Sequence, residues 1–201
     1  MKFIGFYDYT VLLTYISLIS GVLGMKFAHD GNMIAAVGCL AFSGFCDLFD
    51  GTVARTKKNR TEDQKNFGIQ LDSLCDIVCF GVLPAIILYF SGVDSILGIA
   101  FLVLYVLCAL IRLAFFNVLE AKRQKTEGGS IKYFRGLPVT SAAIVYPFFF
   151  VIDWLLVKDG MQIVYYILPA LMAVLFIADI RVRKLDVGAL FSKASKEKAK
   201  S

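Results

Sequence analysis

Six apolar stretches, each long enough to cross a bilayer, decide most of what this chain can fold into. They run approximately Tyr7 to Met25, Met33 to Val53, Leu71 to Phe90, Ile96 to Leu119, Val139 to Val157 and Ile163 to Ile180, against a requirement of roughly 20 residues for a helical span. Hydrocarbon offers no partner to a backbone N–H or C=O, so each stretch must satisfy its own hydrogen bonds as a helix. The expectation is an all-α integral membrane protein, a six-transmembrane-helix bundle. With 58% hydrophobic residues and a mean hydropathy of +0.72 over 201 residues, no stretch remains for a separate soluble domain. Residues 1–201 read as one membrane domain with a basic tail over about 181–201.

The connections carry their basic residues unevenly. Arg55, Lys57, Lys58, Arg60 and Lys65 follow the second stretch, Lys122, Arg123, Lys125, Lys132 and Arg135 follow the fourth, and seven more lie from Arg181 to Lys200. The alternate connections hold Lys26, then none, then Lys158. Lys and Arg accumulate on the cytoplasmic side of membrane proteins, so both termini are expected in the cytoplasm and the chain in the cell membrane. The net charge of +5 suits an anionic lipid surface as partner. The same placement, flanking spans in short loops, leaves no domain that could grip nucleic acid. Asp8 precedes the first apolar run without a small-residue cleavage site, so that stretch is expected to be a retained span.

Carboxylates mark the second and third stretches. Asp47, Asp50, Gly51 and Ala54 stand at i, i+3, i+4 and i+7, and Gly68, Asp72 and Asp76 at i, i+4 and i+8, so each set shares one helix face. Four carboxylates on two faces joined by a short connection repel one another and resist desolvation. A divalent cation is the usual remedy, and an all-oxygen donor set favours Mg2+ or Mn2+ over zinc or copper. The chemistry that follows is two-metal phosphoryl transfer at the cytoplasmic ends of these spans. Gly51 and Ala54 leave space beside the metals for a bulky group such as a nucleotide.

The pattern D-x-x-D-G-x-x-A-R, then G-x-x-x-D-x-x-x-D, resembles the signature of the CDP-alcohol phosphotransferases, integral membrane enzymes of phospholipid synthesis. That resemblance implies Asp47, Asp50, Asp72 and Asp76 as ligands of two divalent cations, and Asp76, the last aspartate of the motif, as general base. It implies Gly51, Ala54, Arg55 and Gly68 as contacts of CDP-diacylglycerol, and a homodimer as the assembly. One departure is visible: twelve residues, Thr56 to Phe67, separate Arg55 from Gly68, where the family usually has about eight. They are polar and charged and are expected to form a longer solvent loop.

Two further stretches, Arg112-Leu113-Ala114-Phe115-Phe116-Asn117 and Phe134-Arg135-Gly136-Leu137-Pro138, resemble the phosphatidylserine synthases of that family. The implied reaction is attack of the L-serine hydroxyl on CDP-diacylglycerol, giving phosphatidylserine and CMP. Arg112, Lys132 and Arg135 could hold the serine carboxylate, with Asn117 beside them. An intramembrane charge such as Arg112 costs about 2.5 to 3.5 kcal/mol at a span centre, which leaves a paired guanidinium and a snorkelling one as the two placements. Another acceptor, glycerol phosphate or inositol phosphate, would keep the metal site and change only the acceptor pocket. A cation transporter would use the same carboxylates as an ion path but has no need of the space at Gly51 and Ala54.

The remaining polar residues have plainer expectations. Thr10, Thr14, Ser17 and Ser20 are expected to bond back to their own helix. Cys39, Cys46, Cys75, Cys79 and Cys108 all fall inside apolar stretches, which implies packing rather than a disulfide framework. Cys75 and Cys79 share a face, which admits a soft-metal site but fits small apolar filler better. His29 is expected in an outward loop and Trp154 in an aromatic belt.

Overall fold

The apolar stretches become helices whose ends are set by identifiable caps. The structure, a computed structural model, describes residues 4–7, 9–57, 59–125, 133–157, 162–179 and 181–183. A 3-10 turn, Tyr9–Val11, leads into α1, Leu12–His29, and α2 spans Met33–Thr56. The Asn32 side chain caps α2 by accepting from the Ala35 N–H at 3.2 Å. His29 is the last residue of α1 rather than part of a loop, and it is exposed with its ring edge-on to Phe90, centroids 5.5 Å apart.

The supposed solvent loop after Arg55 is largely helix. Thr61 and Gln64 exchange reciprocal hydrogen bonds, a capping box that starts α3 at Glu62 and carries it to Asp76. A π-helical turn, Ile77–Val82, continues into α4, Leu83–Phe90. Pro84 has no N–H to give to the Phe80 carbonyl four residues back. The buried Tyr105 hydroxyl of α5, Ile96–Lys125, donates to that carbonyl instead.

A strand, β1, Tyr133–Arg135, precedes a turn at Gly136 and the 3-10 turn Val139–Ser141. Then come α6, Ala142–Ile152, with a π-helical end, Asp153–Val157, α7, Gln162–Ile177, and β2, Arg181–Arg183. β1 and β2 pair antiparallel with Phe134 opposite Val182, a short ribbon the sequence pattern did not suggest. Gly136 is required there, with φ at +79°, and a Cβ would lie 2.8 Å from the Phe176 carbonyl oxygen.

Among the described residues, four helical segments, Tyr9–His29, Met33–Ala54, Glu62–Phe90 and Ile96–Lys122, are long and apolar enough to cross a membrane. Val139–Leu155 and Gln162–Ile177 are shorter apolar helices. Side chains such as Val103, Ile144 and Leu171 are exposed, the outward face that hydrocarbon would cover. Phe80, Leu83, Tyr105, Tyr146, Met172 and Phe176 are buried and form the centre of the bundle.

The α1 hydroxyls of Ser17 and Ser20 cross to α2 instead of bonding back. Ser17 Oγ donates to the Ser43 carbonyl at 3.4 Å and Ser20 Oγ to the Cys39 carbonyl at 3.0 Å, while Ser43 Oγ of α2 returns a bond to the Ser17 carbonyl at 3.1 Å. Small residues make this approach possible, since a Cβ at Gly24 would stand 3.0 Å from Cys39 Cβ and one at Gly21 2.8 Å from Cys79 Sγ. The five cysteines are free thiols.

Candidate metal and substrate site

The close packing of α1 against α2 and the capped start of α3 bring the two carboxylate faces together. Asp47, Asp50 and Asp72 each present an oxygen within 4.8 Å of the others. Asp76 joins them from the next turn of α3, 8% exposed, its carboxyl interacting with that of Asp47 as Asp50 does with Asp72. Thr14 donates to Asp50 Oδ2 at 3.5 Å. Among the described residues, no basic side chain forms a salt bridge with any of the four. Carboxylates this close, with oxygen donors alone, fit a hard divalent cation.

Two cavities open from this cluster, and Asp72 lines both. The first, about 130 Å³, lies between the start of α1 and the α2–α3 connection, with Asp50, Gly51, Ala54 and Gly68 in its wall. Arg60 and Lys65 line it as well, beside Thr10 and Thr14. A Cβ at Gly51 would meet nothing within 4 Å, so the α2 backbone is open to a ligand there. The second, about 180 Å³, places Asp47, Asp72 and Asp76 opposite Arg112, Pro138 and Thr140.

Arg112 is buried, 6% exposed, so it does not snorkel. Its guanidinium lies 5.9 Å from the Phe116 ring centroid, and its Nε has no hydrogen-bond partner. A third hollow, about 330 Å³, adjoins it on the side of Phe115, Phe176 and Asp179. Gly136 faces Arg112, where a Cβ would come within 3.2 Å of Nε, so the turn before α6 closes over the guanidinium.

The other residues singled out in the sequence fall as follows. Asn117 accepts from Ser73 Oγ at 2.8 Å and donates to Gln70 Oε1 at 3.4 Å, tying α5 to α3 and lining neither cavity. The Arg55 and Arg135 side chains and all of Lys132 lie outside the described residues. Cys75 and Cys79 are buried, and Cys79 Sγ contacts the Ser17 carbonyl at 3.4 Å, a packing role. Sequence reasoning missed Arg60, Lys65, Thr14 and Thr140. For the first two a signal was present, since T-x-x-Q ahead of an apolar run marks a helix start and so converts a loop into an ordered arm.

Comparison with known proteins agrees with this geometry. A family model described as CDP-alcohol phosphatidyltransferase matches residues 9–180. An archaetidylserine synthase of Methanothermobacter thermautotrophicus is 39% identical over 140 residues, 69% of this chain and 56% of the relative. A CDP-diacylglycerol–serine O-phosphatidyltransferase of Saccharomyces cerevisiae is 37% identical over 143 residues, 65% of this chain and 50% of the relative. One of the same name from Mycobacterium tuberculosis is 32% identical over 133 residues, 66% and 45% of the two chains. The chain thus spans about half the length of the curated relatives it matches. No solved structure matches it.

Proposed function

The chain belongs to the CDP-alcohol phosphatidyltransferase family, and on that premise we propose that it transfers the phosphatidyl group of CDP-diacylglycerol to the hydroxyl of L-serine. The observation that carries this choice of acceptor is Arg112, a buried guanidinium in the same cavity as Asp76 and across Asp72 from the space at Gly51 and Ala54. A planar fork with an unpaired donor suits a carboxylate, and serine brings one.

The chain's residues divide the work between the two cavities. Arg112 holds the serine carboxylate and directs the hydroxyl toward Asp76. Asp76 takes the hydroxyl proton as the serine oxygen bonds to the lipid-linked phosphorus, and the bond from that phosphorus to the CMP oxygen breaks, so CMP leaves with its electron pair. Gly51 and Ala54 keep the α2–α3 side open to the donor, Gly68 is assigned to the wall of the same cavity, and Arg55 is assigned to the diphosphate. Asp47, Asp50 and Asp72, with Asp76 at the edge, are assigned to two divalent cations, Mg2+ or Mn2+, which when bound offset the charge of the diphosphate and of departing CMP. Phe116, Leu113 and Val139 in the wall of the acceptor cavity limit access of water as a competing acceptor.

The assignment extends to the whole protein. Residues 1–201 form one membrane domain, with Val139–Leu155 and Gln162–Ile177 as fifth and sixth spans, both termini and the site facing the cytoplasm, and the protein a homodimer in the cell membrane. The basic residues of the connections support that orientation and contact with anionic lipid. Lys132 and Arg135 are assigned as further contacts of serine.

Purified protein supplied with CDP-diacylglycerol and Mn2+ or Mg2+ is expected to form phosphatidylserine and CMP in equal amounts. Serinol, which lacks the carboxylate, is expected to be a poor acceptor. Arg112→Lys keeps the charge but loses the fork, and should raise the KM for serine about tenfold, the scale of 1.4 kcal/mol. Preferential transfer to glycerol phosphate or inositol phosphate would overturn the serine assignment. Equal losses for serine and serinol in Arg112→Lys would remove Arg112 from it.

A further inference from the structure

Resting on the transfer proposed above, we infer that Arg60, assisted by Lys65, clamps the diphosphate of the donor, and that the residues lengthening the Arg55 to Gly68 connection exist to build this clamp. The added residues are ordered. Gln64 N–H donates to Thr61 Oγ1 and Thr61 N–H to Gln64 Oε1, both at 3.2 Å, which starts α3 about two turns before Gly68. Arg60 precedes the cap and folds back along the helix, its Nη2 donating to the Gln64 carbonyl at 3.0 Å.

That path brings the guanidinium onto Gly68. A Cβ at Gly68 would stand 2.7 Å from Arg60 Nη2, so the glycine of the G-x-x-x-D-x-x-x-D pattern is here the seat of an arginine. An arginine carries five N–H donors, and the bond to Gln64 uses one. Its Nε is shielded from solvent and has no partner. Arg60 lines the first cavity together with Asp50 and Asp72 yet forms a salt bridge with neither. A guanidinium left with a shielded, unmet donor is costly unless an anion completes it.

The cavity fixes the chemical class of that anion. Lys65 lines the same space, so two positive side chains face a wall where Gly51 presents bare backbone. A ligand close to Asp50 and Asp72 must bring its own negative charge to cations bound there, and a nucleoside diphosphate does so while offering oxygens to a planar fork. The serine carboxylate has its own guanidinium, Arg112, in the other cavity.

The test uses the purified full chain with Mn2+, measuring CDP affinity and the KM values for CDP-diacylglycerol and serine. Arg60→Gln keeps a donor for the Gln64 carbonyl and loses the charge. It is expected to weaken CDP binding and raise the KM for CDP-diacylglycerol at least about tenfold, the scale of a lost charge-assisted hydrogen bond, with serine KM changed less than about twofold. Arg60→Lys should recover most of the loss, which a purely structural role for the side chain would not produce. Gly68→Ala, which sets a methyl against Arg60 Nη2, should weaken CDP binding in the same direction as Arg60→Gln. CDP binding that ignores Arg60→Gln overturns the clamp alone. Arg60-dependent CDP binding without transfer to serine upholds the clamp and overturns the acceptor assignment. Absence of CDP binding by the unmodified protein overturns both.

Discussion

Asp72 and Asp76 stand one turn apart on α3 and are asked to do different things. Asp72 lines both cavities and shares the three-carboxylate cluster, whereas Asp76 is buried on the acceptor side beside Arg112. Asp76→Asn is therefore expected to cut turnover by roughly a hundredfold or more, the scale of a general base, while metal-dependent binding of CDP-diacylglycerol largely survives. Asp72→Asn should weaken Mn2+ binding itself, read by direct titration. Near-normal turnover of Asp76→Asn at neutral pH would take the base role from it. The carboxylates were legible in the sequence because helical spacing alone puts them on common faces. For Arg60 the T-x-x-Q start of α3 was legible, but the direction of the side chain was not, because a charged residue ahead of a cap has no fixed orientation in the sequence pattern.

At the scale of elements, closeness of approach decides how α1, α2 and α6 fit. Apolar length pointed to the helices, but a hydroxyl bonding to its own helix and one crossing to a neighbour leave the same sequence pattern. Which of the two occurs depends on the glycines that let backbones meet. At Gly44 a Cβ would collide with Ala143 Cβ on α6. Gly44→Ala should overpack this contact, at about 1 to 3 kcal/mol, and Ala143→Gly should relieve it. The pair is expected to cost at least about 1 kcal/mol less than the sum of the two single changes, measured by thermal unfolding in detergent. Additive losses would mean the helices shift apart freely. The π-helical turn after Asp76 was likewise invisible, since a continuous apolar run reads the same whether its backbone bonds close over four residues or five.

For the whole molecule, orientation and reaction course are the two global properties at stake. Lys58→Cys, Lys125→Cys and Lys196→Cys should each label from the cytoplasmic side alone; labelling of any of them by an impermeant reagent outside intact cells would overturn six spans with both termini inside. On the proposed function, two cavities that share Asp72 would let donor and acceptor be held together and would make a covalent enzyme intermediate unnecessary. A single in-line displacement inverts configuration at phosphorus, and two in succession restore it. The most direct measurement is thus the stereochemistry of transfer from CDP-diacylglycerol made chiral at its lipid-linked phosphorus with a phosphorothioate. Phosphatidylserine of inverted configuration is the expected product, and product of retained configuration would contradict direct transfer at the shared carboxylate cluster.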